Sequence, residues 1–217
     1  MSIKVLIVDD HRVILDGLRL LLETNDDIKV LGEAVNGREA VRKAKELKVD
    51  IIIMDIAMSE LNGIEATMQI RKSSPDTRVI ILSMHSTTEY ITRALKAGAQ
   101  GYLLKESTGT ELLDAVRAVF AGHRYMSQKI SDILIDDLVD HPGGSLEGPP
   151  LECLSPRERE IMQLVVEGKT SAEIANMIFL SPKTVETYRS RLMQKLGIKN
   201  LPDLVKFSIQ KGLIPLE

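Results

Sequence analysis

Asp9 and Asp10 end one short apolar run, Val5-Leu6-Ile7-Val8, and Asp55 ends another, Ile51-Ile52-Ile53-Met54. A run of three or four apolar residues stopped by acid reads as a buried strand that opens onto a polar rim. In open parallel sheets, sites lie beyond the carboxyl ends of the strands. Two distant segments can therefore deliver three acids to one edge. Carboxylates packed that closely repel one another, and a hard divalent cation such as Mg2+ relieves the repulsion. Ser83 and Lys105 follow two further apolar runs, at positions that would also be strand ends. The set has one chemical logic. Asp55 can attack a phosphoryl group and hold it as an acyl phosphate. Asp10 and Asp55 would bind Mg2+ together with the backbone carbonyl of Ala57, and Asp9 would act directly or through water. Lys105 would pair with a phosphoryl oxygen as a mobile point charge. Ser83 could donate a hydroxyl hydrogen bond to the same group. Alone, an Asp-Asp pair after a strand is usually a cap or a turn. The right residue types at four strand ends together point to function.

The elements that must position these residues alternate. Candidate strands are Lys4–Val8, Lys29–Ala34, Asp50–Met54, Arg78–Leu82 and Gly101–Leu104. Between them apolar residues recur at helical spacing, as in Val13, Leu15, Leu18, Leu21 and Leu22, or Leu112, Leu113, Val116, Val119 and Phe120. Five strands alternating with five helices predict right-handed crossovers and a doubly wound, five-stranded parallel sheet. Turn signals fall where such a fold needs them, at Asn36-Gly37, Asn62-Gly63, Ser74-Pro75-Asp76 and Ala97-Gly98.

The remainder of the chain is organised differently. Residues 123–150 read as a linker, with Pro and Gly concentrated at His141-Pro142-Gly143-Gly144-Ser145 and Gly148-Pro149-Pro150. Ile130, Ile133, Leu134 and Leu138 mark a short amphipathic stretch within it, consistent with a docked helix. After Ser155 the pattern is all helical. Ser155-Pro156-Arg157-Glu158 supplies an N-cap, a proline at the first helical position and Glu at the third. Thr170 or Ser171 caps a second helix, Ser181-Pro182-Lys183 opens a third, and a fourth follows Leu201-Pro202. Four short helices, the second and third separated by a tight turn, predict a helix-turn-helix unit.

The third of these helices is the candidate for a DNA groove. Lys183, Arg189, Arg191, Lys195 and Lys199 face a single acid, Glu186, between residues 183 and 199. Thr184, Thr187, Tyr188 and Ser190 add hydrogen-bonding groups, while Val185, Leu192 and Leu196 recur at the spacing of a buried side. A helix that enters the major groove presents basic and small polar groups in this way.

Charge and composition fit two domains. The chain has 217 residues, 44% hydrophobic and 27% charged, ordinary values for a globular protein. Residues 151–217 hold 10 basic and 8 acidic side chains, so the overall net charge of −3 conceals a mildly basic end. No apolar stretch approaches the roughly 20 residues that a membrane span needs. The N-terminus lacks a signal-peptide pattern, and the single cysteine, Cys153, excludes an internal disulfide. These features lead us to expect a cytoplasmic protein.

Val-Leu-Ile-Val-Asp9-Asp10-His11, Ile-Met-Asp55-Ile-Ala-Met, Leu-Ser83-Met-His and Gly101-Tyr102-Leu-Leu-Lys105 resemble the receiver domain of two-component response regulators. The resemblance implies a flavodoxin-like receiver over residues 1–122, with Asp55 as phosphoacceptor and Asp9, Asp10 and Asp55 as its Mg2+ site. It further implies Ser83 and Tyr102 as a switch pair, the hydroxyl moving to the phosphoryl group as the ring turns inward, and Lys105 as the phosphate-binding lysine. Ser59 and Glu106 stand where the family often has proline. Leu154-Ser-Pro-Arg-Glu-Arg-Glu, Leu180-Ser-Pro-Lys-Thr-Val-Glu-Thr-Tyr and Lys195-Leu-Gly resemble the LuxR-type helix-turn-helix, so residues 151–217 would be a four-helix DNA-binding domain. Together the two halves are similar to regulators of the NarL/FixJ family. That resemblance implies Glu186, Thr187 and Ser190 at base edges, with Lys183, Thr184, Arg189, Arg191, Lys195, Thr170 and Ser171 mostly at phosphates. Glu186 departs from the commonly basic residue there, and could accept from cytosine N4 or be merely tolerated. The implied partners are a sensor histidine kinase, a second copy of the chain when phosphorylated, and paired half-sites on double-stranded DNA. Autophosphorylation and hydrolysis at Asp55 would serve only as a switch. A Mg2+-dependent phosphohydrolase is disfavoured, since Ala57 occupies the position where such enzymes carry a second Asp. A phosphorylation-independent DNA binder is disfavoured by the intact acid set.

Overall fold

The computed structural model describes residues 2–140 and 150–210. The chain divides into two compact units, residues 1–143 and 144–217. In the first, β1 (Ile3–Val8), β2 (Ile28–Ala34), β3 (Ile51–Met54), β4 (Arg78–Ser83) and β5 (Gly101–Leu104) form a sheet with a short β6 (Tyr125–Met126) at its edge. The order is β2-β1-β3-β4-β5-β6 and every pairing is parallel. The five expected strands are present within a residue or so at each end. The sheet has six strands rather than five, and two residues of β6 are too few to show any periodicity.

Alternation along the strands divides the core in two. Leu6, Val8, Ile52, Met54 and Ile81 meet α2 (Gly37–Leu47), α3 (Gly63–Ser73) and α4 (Thr88–Ala97) on one face. Val5, Ile7, Ile51, Ile53 and Leu103 meet α1 (Arg12–Glu23) and α5 (Gly109–Phe120) on the other. Successive strand side chains point to opposite faces, so a strand buried on both sides reads as a continuous apolar run. Asn36, Asn62 and Thr108 cap α2, α3 and α5 by accepting a backbone N–H three residues on.

Residues 123–140, expected within the linker, contain β6 and α6 (Gln128–Asp140). Ile130 of α6 is fully buried in the α2–α3–α4 side of the core, with Ile133, Leu134 and Met126 packed against it. The Pro- and Gly-rich residues 141–149 lie outside the described residues.

The second unit opens with a 3-10 turn, Pro150–Cys153, followed by α7 (Pro156–Val166), α8 (Ser171–Ile178), α9 (Pro182–Leu196) and α10 (Leu201–Gln210). Ser155 and Glu158 form a capping box at α7, and Thr170 and Glu173 form another at α8. Leu154, Ile161, Leu164, Ile174, Val185, Leu192 and Leu204 close one small core. The α8–α9 turn passes through Phe179, whose φ of 55° places it in the left-handed region.

Candidate functional site

The acids stand where the strand ends put them. Asp55 donates its backbone N–H to the Val8 carbonyl (2.9 Å), which carries the β1–β3 pairing one residue past the strands. The Lys105 N–H likewise reaches the Ser83 carbonyl (2.9 Å) beyond β4 and β5. These two bonds draw Asp9, Asp55, Ser83 and Lys105 onto one edge. Asp9 is 1% exposed and Asp55 4%, so two carboxylates lie nearly out of water. The Lys105 ammonium holds both, at 2.6 Å from Asp9 Oδ2 and 2.9 Å from Asp55 Oδ2. Asp55 Oδ1 accepts the Ile56 N–H at 2.8 Å.

Burial raises the Asp55 carboxyl to about 6, with Lys105 opposing the rise and Asp9 adding to it. Burial would lower Lys105, but its bonds to Asp9 and Asp55 outweigh that and leave it raised. The site therefore has a surplus of negative charge that one lysine only partly meets. Among the described residues, Asp9, Asp10, His11 and Asp55 each offer a ligand atom, all within 4.8 Å of one another. Such a donor set, rich in carboxylate oxygen, fits a hard divalent cation. Ala57 lies half-buried in the loop after β3.

Gly63 makes that loop possible. A Cβ at position 63 would stand 1.9 Å from the Asp55 carbonyl oxygen and 2.9 Å from Met54 Cγ. The Gly63 N–H meets the Ile56 carbonyl at 3.0 Å, so the start of α3 is pressed against the loop that carries Asp55.

Tyr102 is fully buried, with its ring already in the core. Its hydroxyl donates to the His85 carbonyl at 2.7 Å, and the His85 N–H donates to Ser83 Oγ at 3.2 Å. The two residues of the expected switch pair thus share one neighbour. The His85 ring stacks on Tyr90 with centroids 4.1 Å apart and planes at 1°. Burial, then the Lys105 charge, lowers the His85 pKa, while burial raises that of Tyr102. The sequence reading tied the lifetime of a phosphoryl group to groups near Ala57 and His85, and assigned no role to His11, whose position matters only once the loop is folded beside the acids.

In the second unit, Val185 and Leu192 bury one side of α9, and Lys183, Glu186, Thr187, Ser190, Arg191 and Gln194 are exposed on the other. Arg189 and Thr184 are half-buried at its flanks, and the Thr184 N–H is capped by Ser181 Oγ (3.1 Å). Thr170 caps α8, and the Ser171 hydroxyl donates to the Glu186 carboxylate. Glu186 is thereby held by the neighbouring helix of the motif. Lys195 is exposed as well, and it also has partners within the unit. Its ammonium bonds Glu158 Oε2 (2.7 Å) and the Cys153 carbonyl (3.3 Å), tying α9 to the start of α7. Burial would raise the Glu158 carboxyl, but Lys195 and the hydrogen bonds from Ser155 together outweigh it and leave the pKa lowered.

Comparison with known proteins agrees with this geometry. The response regulator receiver domain matches residues 5–117, and the luxR family of bacterial regulatory proteins matches residues 152–208. The oxygen regulatory protein NreC of Staphylococcus carnosus is 37% identical over 97% of this chain and 99% of its own length. Among solved structures, the response regulator ChrA of a heme-sensing two-component system is 33% identical, with a TM-score of 0.54 over 98% of this chain and 99% of its own. An RcsB–DNA complex is 26% identical, with a TM-score of 0.59 over 95% and 98%. A receiver sheet with its acidic edge, followed by a LuxR-type helix-turn-helix, makes this chain a member of the NarL/FixJ family of two-component response regulators.

Proposed function

We propose that the chain is a phosphorylation-switched transcriptional regulator in which Asp55 receives a phosphoryl group from a sensor histidine kinase. The observation that carries this reading is the Asp55 carboxylate itself. It is buried, 2.9 Å from the Lys105 ammonium, and within ligand distance of Asp9 and Asp10. With a carboxyl pKa of about 6, it is ionised at neutral pH and can act as nucleophile. An Asp55 oxygen attacks phosphorus, the bond from phosphorus to the donor breaks, and an aspartyl phosphate results. Lys105 is placed to follow the new phosphoryl oxygens, at the cost of its bond to Asp55. The Ser83 hydroxyl would turn to the same group at the cost of its bond from the His85 N–H, while its backbone stays fixed by the sheet.

Asp9, Asp10 and Asp55, with the Ala57 carbonyl, would hold a Mg2+ ion. When bound, that ion supplies neutralising charge to the phosphoryl oxygens. Movement of Ser83 would be felt by His85, and through the His85 carbonyl by Tyr102, so this pair reports phosphorylation to the surface around α4 and β5. We read residues 1–122 as receiver, 123–150 as connector and 151–217 as the DNA-binding domain, within a cytoplasmic protein. Phosphorylation promotes pairing of two copies and binding to two half-sites. On DNA, the exposed α9 residues Glu186, Thr187 and Ser190 meet base edges. Lys183, Thr184, Arg189 and Arg191, with Thr170 and Ser171, meet phosphates, and Lys195 adds only what its bond to Glu158 leaves available.

The test is DNA binding by the full chain with and without Mg2+ and acetyl phosphate, using Asp55→Asn as control and DNA taken from a random-sequence selection. Tighter binding to a two-half-site sequence on addition of the phosphodonor, absent in the mutant, supports the switch. Equal binding in every sample refutes it and leaves the receiver as a scaffold.

A further inference from the structure

We infer that the outer face of α6 docks a basic amphipathic helix of another protein. The inference does not depend on phosphoryl chemistry at Asp55.

Helix α6 has two sides of different character. Ile130, Ile133 and Leu134 turn into the core of the first unit. Ile135, Leu138 and Val139 turn outward and are 57%, 71% and 68% exposed. Their spacing, i, i+3 and i+4, sets them together on one face. Asp132, Asp136 and Asp140 recur every fourth residue, and all three are exposed. An aliphatic row thus runs beside an acidic row.

Neither row serves the fold. Three adjacent aliphatic side chains in water add nothing to the core, and a contiguous exposed apolar patch marks a surface for a partner. The acids work against the helix. Like charges four residues apart repel, and carboxylates near a helix C-terminus meet the negative end of its dipole. Helices α2, α3, α4 and α5 each place a Lys or Arg in the last turn, whereas α6 has none there. Lys129, at the opposite end of α6, is bonded to Glu106. From residue 130 to residue 156 the sequence holds six acids and no Lys or Arg. A local rule broken without gain to the fold points to function.

The charge selects the occupant. A second copy would bring one acidic row against another. DNA and anionic lipid are repelled for the same reason. A helix with its own apolar stripe, and with Lys or Arg beside the stripe, meets both rows at once. Its aliphatic side chains cover Ile135, Leu138 and Val139, and its cations reach the carboxylates. Those cations would also offset the dipole at the end of α6.

The test is fluorescence anisotropy of a labelled synthetic peptide titrated with the full chain. The peptide carries leucine along one face of a helix and lysine along its flanks. A second peptide of the same composition, shuffled so that no such face forms, controls for simple charge attraction. Two double variants each remove one row: Ile135→Ser with Leu138→Ser, and Asp136→Asn with Asp140→Asn. Each pair should weaken binding of the ordered peptide by at least about tenfold. The Asn pair should hold or raise the melting temperature, because it takes like charge away from the helix end. Its loss of binding is then not loss of the fold. Asp26→Asn with Asp76→Asn removes the same charge from exposed positions elsewhere, and should change the affinity by less than about twofold. The inference fails if the ordered peptide does not bind, if the shuffled peptide binds as well, or if the Asp26 and Asp76 pair weakens binding as much as the Asp136 and Asp140 pair. It also fails if sedimentation shows a dimer of the full chain without peptide that Ile135→Ser with Leu138→Ser takes apart, since the face would then belong to a second copy.

Discussion

At Asp55, burial favours the neutral carboxyl, so the folded chain holds this proton more tightly than the unfolded one does. The resulting stabilisation is complete below the ordinary value of 3.8 and is lost as pH rises through about 6. Asp55→Asn fixes the neutral state. Without divalent ions, the melting temperature of the variant minus that of the wild type should therefore increase between pH 4 and pH 6.5. Excess Mg2+ should flatten the increase, since a bound cation favours the ionised carboxylate. A difference that is constant with pH would show that Asp55 is not held in the neutral form by its surroundings. The residues of this site were legible to different degrees. Asp9, Asp10, Asp55 and Lys105 announce themselves because a charge that closes an apolar run needs a reason. His85 and His11 do not, because their meaning lies in a stacked ring and a 2.7 Å contact to Asp10, and neither has a spacing in the sequence.

Helices α6 and α8 show where patterns at the level of elements succeed and fail. The apolar spacing of α6 was visible, but whether it docked was not, since a moderate stripe fits a tethered helix and a free one equally. The structure buries Ile130 and leaves Leu138 exposed. Ile130→Ala should destabilise the first unit by about 2–4 kcal/mol, and Leu138→Ser by less than about 0.5 kcal/mol, as read from denaturant unfolding. Equal effects would mean that α6 does not pack as described. The third helix, α9, was legible from both ends, because Ser181-Pro182 starts it and Gly197 stops it. The tight turn before it was legible too, but its conformation was not, for Phe179 occupies a left-handed position that glycine usually fills. The side chain is 93% exposed, so little packing offsets the strain. Phe179→Gly should raise the stability of the second unit by about 0.5–1 kcal/mol. If DNA affinity falls as stability rises, the ring is retained for binding rather than for folding.

Across the whole molecule, the division into an acidic switch and a basic reader was foreshadowed by the charge of each half, although the net charge of −3 hides it. The basic residues of α9 are not equivalent, and ionic strength can sort them. Lys183 is exposed and should contact phosphate, so Lys183→Ala should reduce the slope of log affinity against log salt by about 0.9 for each protomer bound. Lys195 bonds Glu158. Lys195→Ala should leave that slope nearly unchanged and should instead destabilise the second unit by about 1–2 kcal/mol. The reverse pattern would exchange the two roles. A different consequence follows from Gly63, which has no part in phosphoryl chemistry and no unusual φ. Even one methyl group there would collide with the carbonyl of Asp55. In a saturation mutagenesis library selected for signalling, position 63 should be as barren as position 55. The cause would be different, namely crowding in place of lost reactivity. Intolerance to substitution in such a screen therefore maps the space around the nucleophile as well as the groups that react.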